Sequence, residues 1–325
     1  MALGRYFIRR LAFALVLAFV VSSGALLLTR VAPGDITAEL VAAGVSREAI
    51  ARERTRHGLD RPLAEQYLAW LAGAARLDFG TSMLYGRPVA ALVASRALNS
   101  ALLAVAALGT ATLVGLPLGI VAGTRRSGLV TASIRCASLV LLSLPPLLTS
   151  LILVFVAART GWLPVGGMTS STQAAGSWAA SVFDLALHLP LPALALALPI
   201  AATLERLQAD AMTEAVLDPC ILAARARGLP RSRVVWRHAL RLSATPVASV
   251  YGLVIGGLLS GSFAVEIVTS WPGLGRLLYD ALRARDLYLV AGCATAGAIF
   301  LAFGSLVSDI ALAAVDPRIR VAGRT

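Results

Sequence analysis

The sequence predicts an all-α membrane protein with six transmembrane helices and an extracytoplasmic helical segment between the first two. Three observations predict it. Hydrophobic residues make up 58% of the 325-residue chain and charged residues 14%; with a mean hydropathy of +0.80, that composition lies outside the usual range of a water-soluble domain. The charges are clustered, which leaves six stretches free of Asp, Glu and Arg: 11-29, 97-124, 136-158, 185-204, 242-265 and 287-308. Each approaches or exceeds the roughly 20 residues that a helix needs to cross about 30 Å of hydrocarbon. Lipid offers the backbone no hydrogen bonds, so these stretches must be helical.

Arg5, Arg9 and Arg10 precede the first stretch, which reads as a retained helix because the run is long for a signal peptide and no small-residue cleavage site follows it. In the 31-96 segment, Ser46 can cap a short helix, and Leu63, Tyr67, Trp70, Leu71 and Ala74 recur at helical spacing. Pro88 opens an interfacial helix that leads into the second span. Helix breakers interrupt later spans: Gly115 and Pro117, the pair Pro145-Pro146, then Pro190, Pro192 and Pro199. Neighbouring helices re-satisfy the carbonyls that prolines free, and kinked helices suit a bundle with a central pathway. The stretch from Gly166 to Ser177 is rich in Gly, Ser and Thr and reads as a flexible lid or linker. The implied organisation is 1-30 for the N-terminal tail and first helix, 31-96 outside, 97-315 as the core with five helices, and 316-325 as a tail.

The formal net charge is +12, and all 29 basic residues are Arg. They sit in the joints between apolar runs, which points to membrane topology and away from nucleic acid. Arg125 and Arg126 lie between spans two and three, Arg206, Arg225, Arg227, Arg231, Arg233, Arg237 and Arg241 between four and five, and Arg318, Arg320 and Arg324 after six. With the N-terminal arginines these fall on one side of the membrane, so both termini are predicted cytoplasmic by the positive-inside rule. Cys136, Cys220 and Cys293 are far apart, which supports neither a disulfide framework nor a metal site.

The cytoplasmic loop 206-246 carries the most information. Asp218-Pro219 is a helix-start signal, Gly228 ends that short helix in a left-handed conformation, and Pro230 begins a second helix. Ala223 and Ala224 offer a small, close-approach surface flanked by Arg225 and Arg227. On pattern alone the hairpin fits either a basic amphipathic element resting on anionic headgroups or a rigid knob for a soluble partner.

Ser143, Pro145, Pro146 and Glu266 are candidate pathway residues. Glu266 and Asp309 close the fifth and sixth stretches and are expected to be solvated or interfacial, and His188 reads as a polar helix-end residue. An ion-driven transporter would need charged groups near mid-span, which the six stretches lack. An intramembrane enzyme would need a nucleophile with a base, and no GxSxG, HExxH or paired-carboxylate pattern lies in the spans. The Gly/Pro-broken spans also fit a membrane scaffold poorly. No GxxxxGK[ST] phosphate loop is present.

The loop core Ala223-Ala224-Arg225-Ala226-Arg227-Gly228-Leu229 resembles the EAA loop of binding-protein-dependent ABC importer permeases, with Leu222 where a Glu often begins the motif. From end to end the chain resembles the B-type permease of the dipeptide/oligopeptide/nickel branch. The similar stretches are RRLAFALVL with RVAPGD (Arg30 to Asp35), GLDRPLAEQYLAWL (Gly58 to Leu71), LDFGTS (Leu77 to Ser82), GLPLGIVAG (Gly115 to Gly123), GWLPVGG (Gly161 to Gly167), WPGLGRLLYDAL (Trp271 to Leu282) and DPRIR (Asp316 to Arg320). SLPPLLTS (Ser143 to Ser150) departs from the branch's Ser-Pro-aromatic stretch. The resemblance implies a type I ABC importer permease fold in a bacterial cytoplasmic (inner) membrane. It implies a second related permease, two ATP-binding-cassette ATPase subunits that hold the ATP and Mg, and an extracytoplasmic solute-binding protein as partners. It also implies that Ala223, Ala224, Arg225, Arg227, Gly228 and Leu229 couple to the ATPases, and that peptides or a related small solute such as a nickel chelate are carried. No cofactor is expected on this chain.

Overall fold

A computed structural model describes residues 2–31, 44–56, 60–125, 127–170 and 178–315. The DPRIR run, most of RVAPGD and the 171–177 part of the Gly/Ser/Thr-rich loop lie outside the described residues. Every regular element described is helical, and β pairing is limited to an isolated bridge between Thr81 and Pro88. The elements are α1 (Ala2–Val31), α2 (Arg47–Arg56), α3 (Leu63–Ala74), α4 (Val89–Thr124), α5 (Leu129–Leu142), α6 (Pro146–Thr160), α7 (Trp178–His188), α8 (Pro190–Ala215), α9 (Pro219–Ala226), α10 (Arg231–Arg233), a π segment (Val234–Ala239), α11 (Leu240–Val268), α12 (Leu274–Ala284) and α13 (Leu287–Val315).

Among the described residues, five helical stretches are long and apolar enough to cross a membrane: Ile8–Thr29, Val89–Thr124, Trp178–Ala215, Arg231–Leu258 and Leu287–Ile310. The sixth predicted span is where the structure departs from the sequence reading. The 136-158 stretch is not one helix but α5 and α6, bent by 105° at a short break. Pro145 and Pro146 explain it: neither has an N–H to continue the ladder, and the ring of Pro145 disfavours the α conformation at Leu144. Pro145 itself sits at φ −59, ψ 149, off the helix. Pro88 does precede the first residue of a helix, as expected, and that helix continues into the second span without a break. The expected interfacial helix and the second span are a single 36-residue helix, about 54 Å long at 1.5 Å per residue. Ser46 does cap α2 as expected, accepting a bond from the Ala49 N–H at 3.4 Å.

The chain divides into two compact units. The first comprises Met1–Arg5, Ala101–Trp271 and Phe303–Thr325. Its centre is α8, which buries Leu191, Leu196, Leu204 and Met212 together with a series of alanines. Its residues 190–204 carry no charge, and a stretch apolar on every face is covered either by other helices or by lipid. Here α11, α5 and α6 cover it. On α4, Gly115, Gly119 and Gly123 share one face at a spacing of four and meet α8 where its own Ala201, Glu205 and Ala209 repeat at the same interval. A Cβ built at these glycines would lie 2.5, 2.5 and 2.4 Å from the carbonyl oxygens of Ala201, Glu205 and Ala209. The two backbones therefore touch, as small-xxx-small pairs permit in a membrane. Polar cross-links tie both helices to α11: Thr112 of α4 to Tyr251 at 2.9 Å, and Gln208 of α8 to Ser243 at 2.9 Å.

The second unit comprises Tyr6–Ser100 and Pro272–Ala302. Val89, Leu92, Leu274, Leu277, Leu289 and Val290 form its main core, and Leu26, Trp70 and Ala291 a smaller one. Asp286 organises the unit. Fully buried, it accepts bonds from the Ser82 hydroxyl at 2.6 Å, the Leu84 N–H at 3.0 Å and the Leu289 N–H at 3.1 Å. It thereby caps α13 and fixes the 82–84 loop with one side chain. Cys293 is buried near it, and Cys136 and Cys220 are exposed, all three as free thiols.

Candidate functional site: a helical hairpin and a proline-lined cavity

The hairpin from Asp218 to Leu240 has a local physical cause at each joint. Asp218 is the N-cap of α9 at φ −60, ψ 137, and its carboxylate accepts the Cys220 N–H at 2.8 Å. The Cys220 side chain and N–H hold the Asp218 carboxyl below its usual range, and the Asp218 carboxylate raises the Cys220 thiol in turn. Pro219 opens the helix, where a missing N–H carries no cost. At the other end, the Gly228 N–H bonds to Arg225 O at 2.9 Å and the Leu229 N–H to Ala224 O at 3.4 Å. Gly228 has φ +80, so this is the two-bond helix terminus that a left-handed residue closes. Pro230 stands one place before its predicted position, as the cap of α10.

In its second arm the hairpin differs from a free helix-turn-helix. Helix α10, the π segment and α11 run on without interruption from Arg231 to Val268, so this arm is the end of a membrane helix. One extra residue per turn in Val234–Ala239 rotates the arm relative to the span. Val234, Val235 and Ala239 then pack with Ile221 of α9, Ile120 of α4 and Met212 and Ala215 of α8 in one buried cluster. Arg231 donates to the carbonyl of Thr124 at 3.1 Å, capping α4. The hairpin is thus joined to the ends of three long helices.

Among the predicted coupling residues, the structure separates two roles. Ala224 is buried, and Leu229 is half-buried against the cluster of Ile120, Met212 and Val234. Ala223, Arg225, Arg227 and Gly228 are exposed together along the rim. Sequence reasoning missed two neighbours, Leu222 and Trp236, which are 47% and 56% exposed. Their signal was a large apolar side chain in a run otherwise rich in Arg. The rim therefore combines apolar surface with at least two guanidiniums, and among the described residues beyond its chain neighbours nothing lies within 4 Å of where a Gly228 Cβ would stand.

The candidate pathway residues divide as well. Ser143, Pro145 and Pro146 come together on the wall of a cavity of about 390 Å³, opposite Pro199, Thr203 and Gly261. The α5–α6 break, from Leu142 to Pro146, forms part of the cavity's lining. Both hydroxyls bond to their own helices, Ser143 Oγ to Leu139 O at 2.9 Å and Thr203 Oγ1 to Pro199 O at 3.0 Å. Glu266 is not part of this wall; expected to be solvated or interfacial, it is not solvated but fully buried in α11. Asp309 is half-buried. His188 does end a helix, and it is buried, with Nδ1 2.8 Å from Asp184 O. Asp184 in turn holds the N–H and hydroxyl of Ser170 at 2.6 and 2.8 Å, pinning the described part of the Gly/Ser/Thr-rich loop. Trp70, one of the residues at helical spacing in the 31-96 segment, is 6% exposed and belongs to the core.

Among the described residues no group of three or more His, Cys, Asp or Glu could hold a metal ion. Comparison with known proteins agrees with the helical architecture. The chain is 32% identical over 317 residues to an oligopeptide transport system permease protein of Bacillus subtilis (strain 168), covering 97% of this chain and 98% of that one. It is 31% identical over 316 residues to a glutathione transport system permease protein of Escherichia coli (strain K12), covering 97% and 98%. Residues 3–84 match the N-terminal family of binding-protein-dependent transport system membrane components. Residues 115–321, which hold the hairpin, the cavity and the glycine seam, match the binding-protein-dependent transport system inner membrane component family, and the chain belongs to that family of multi-pass permeases.

Proposed function

We propose that this permease forms half of a peptide-conducting importer, and that its hairpin rim docks an ATP-binding-cassette ATPase subunit. The reading of cargo as a peptide or a related small solute is supported by the relatives, whose names specify oligopeptide and glutathione transport. A second related permease, two ATPase subunits holding ATP and Mg, and an extracytoplasmic solute-binding protein complete the assembly. The chain supplies the pathway and no ATP site of its own. The hairpin and both termini face the cytoplasm, as the Arg distribution favours.

The observation that carries the proposal is the rim itself. Ala223, Arg225, Arg227 and Gly228 stand exposed on an element buried at its base among Ile120, Met212 and Ala215. Force applied to such a rim is passed to helix ends instead of being absorbed by a loop. ATP can drive alternating access only if it favours the closed ATPase pair and the connection is stiff. The 390 Å³ cavity beside the α5–α6 break is the part of the pathway that this chain contributes.

The test is a graded series at Gly228. With φ +80 and open space around it, Asn tolerates the conformation, Ala is disfavoured by about 1–2 kcal/mol, and Asp adds a charge to the surface. Gly228→Asn is expected to insert and fold normally and to keep most uptake. Gly228→Asp is expected to insert normally but to lose ATP-dependent uptake in vesicles together with ATPase co-purification. Full uptake by Gly228→Asp would refute the docking role.

A further inference from the structure

The second unit contains a cavity that the transport reading leaves unused. It measures about 330 Å³, and Tyr85, Arg96, Pro272, Arg276 and Asp280 stand on its wall. Arg96 and Asp280 each have a definite partner. Arg96, in the third turn of α4, donates from Nη1 to the Pro272 carbonyl at 3.2 Å, and Asn99 donates to the same oxygen at 2.8 Å. Arg276 and Asp280 are four residues apart on α12 and so share a face. The Tyr85 hydroxyl donates to Asp280 Oδ2 at 3.4 Å. Burial, then the Asp280 carboxylate, raise the Tyr85 phenol above its ordinary value, with Arg96 and Arg276 acting against them. All three charged groups therefore act on one phenol at the cavity wall.

The composition of this wall selects among ligands. A bare anion would meet Arg96 and Arg276 but also the Asp280 carboxylate. A bare cation would meet Asp280 but also two guanidiniums. A solute with a carboxylate next to an N–H donor satisfies both signs at once. The volume falls at the lower end of the range for small-molecule sites, which suits one or two amino-acid residues. We propose that this cavity binds an α-carboxylate flanked by an N–H group, the chemistry shared by a free amino acid and the C-terminal residue of a peptide. The guanidiniums of Arg96 and Arg276 hold the carboxylate, and Asp280 with the Tyr85 oxygen receives the N–H. The proposal is independent of ATPase docking, because it concerns binding to this chain alone.

Equilibrium dialysis of the purified full-length chain in detergent tests it, with radiolabelled alanyl-alanine, its C-terminal amide, alanine and lactate as probes. Alanyl-alanine should bind at least tenfold more tightly than its amide, and Arg276→Gln should weaken it at least tenfold. Asp280→Asn should remove the preference of the site for N–H-bearing probes over lactate. Alanine binding as well as the dipeptide assigns the site to free amino acids; alanine binding tenfold more weakly assigns it to peptides. Gly228→Asp should leave binding unchanged, which separates this site from the coupling role of the hairpin. Equal affinity for the dipeptide and its amide, no effect of Arg276→Gln, or no binding of either alanine or the dipeptide would overturn the proposal. So would loss of binding in Leu253→Trp, which fills the proline-lined cavity of the first unit.

Discussion

The glycine seam between α4 and α8 allows a quantitative test within one helix. In Gly119→Ala the new methyl would lie 2.5 Å from the Glu205 carbonyl oxygen and 2.7 Å from Gln208 Cβ, about 0.9 Å inside the 3.4 Å at which ordinary contact begins. Gly109 is in the same helix and has nothing within 4 Å of its Cβ position. Replacing either glycine by alanine raises helix propensity by up to about 1 kcal/mol. That gain is common to both variants, so their difference isolates the packing term. Inserting a methyl into a closed contact costs about 1–3 kcal/mol, and backbone atoms are the obstruction here, so little relief by rotamer change exists. Gly119→Ala should therefore be about 1–3 kcal/mol less stable than Gly109→Ala, measured by reversible unfolding in mixed dodecyl sulfate micelles. Gly119→Val should be lower still, with a second methyl layer directed at Gln208. Equal stability of Gly119→Ala and Gly109→Ala would show that the two helices do not approach as closely as the structure has them.

Two further substitutions probe buried charge. Asp286→Ala strands the Ser82 hydroxyl and the Leu84 and Leu289 N–H groups inside the second unit. A loss of about 3 kcal/mol or more is expected from hydrogen bonds to a charged acceptor, and Asp286→Asn, which keeps one accepting oxygen, should recover part of it in the same unfolding assay. Glu205 is 2% exposed, and its Oε1 has no hydrogen-bond partner. Glu205→Met, similar in volume and free of the desolvation penalty, should be more stable than the parent by about 1–3 kcal/mol; a less stable variant would mean that the carboxylate is paired.

The hairpin shows how far local chemistry reaches. Asp218-Pro219, Gly228 and Pro230 act through caps and backbone angles that depend on near neighbours alone, so the sequence located both ends of α9 and the left-handed residue between the arms. Which face of that hairpin is free is a different kind of fact. Ala223 and Ala224 are adjacent and identical in chemistry, yet Ala224 is buried and Ala223 exposed, a difference that tertiary packing sets. Glu266 departs from its expected place for the same reason. A charge next to an apolar run is solvated or buried according to what packs over it, and no local pattern carries that information.

The sequence by itself determined that the chain is a multi-pass membrane protein, which of its stretches are apolar enough to cross, and where the hairpin helix α9 starts and stops. These features arise from transfer energies of side chains and from backbone constraints, which are nearly additive along the chain. Only the tertiary structure decided the angle at Pro145-Pro146. Two prolines forbid a straight helix, but the 105° between α5 and α6 is chosen by the surface of α8 on which both helices rest. The meeting of Arg96 with Arg276 and Asp280, 180 and more residues apart, likewise exists only because the ends of α4 and α12 share a core.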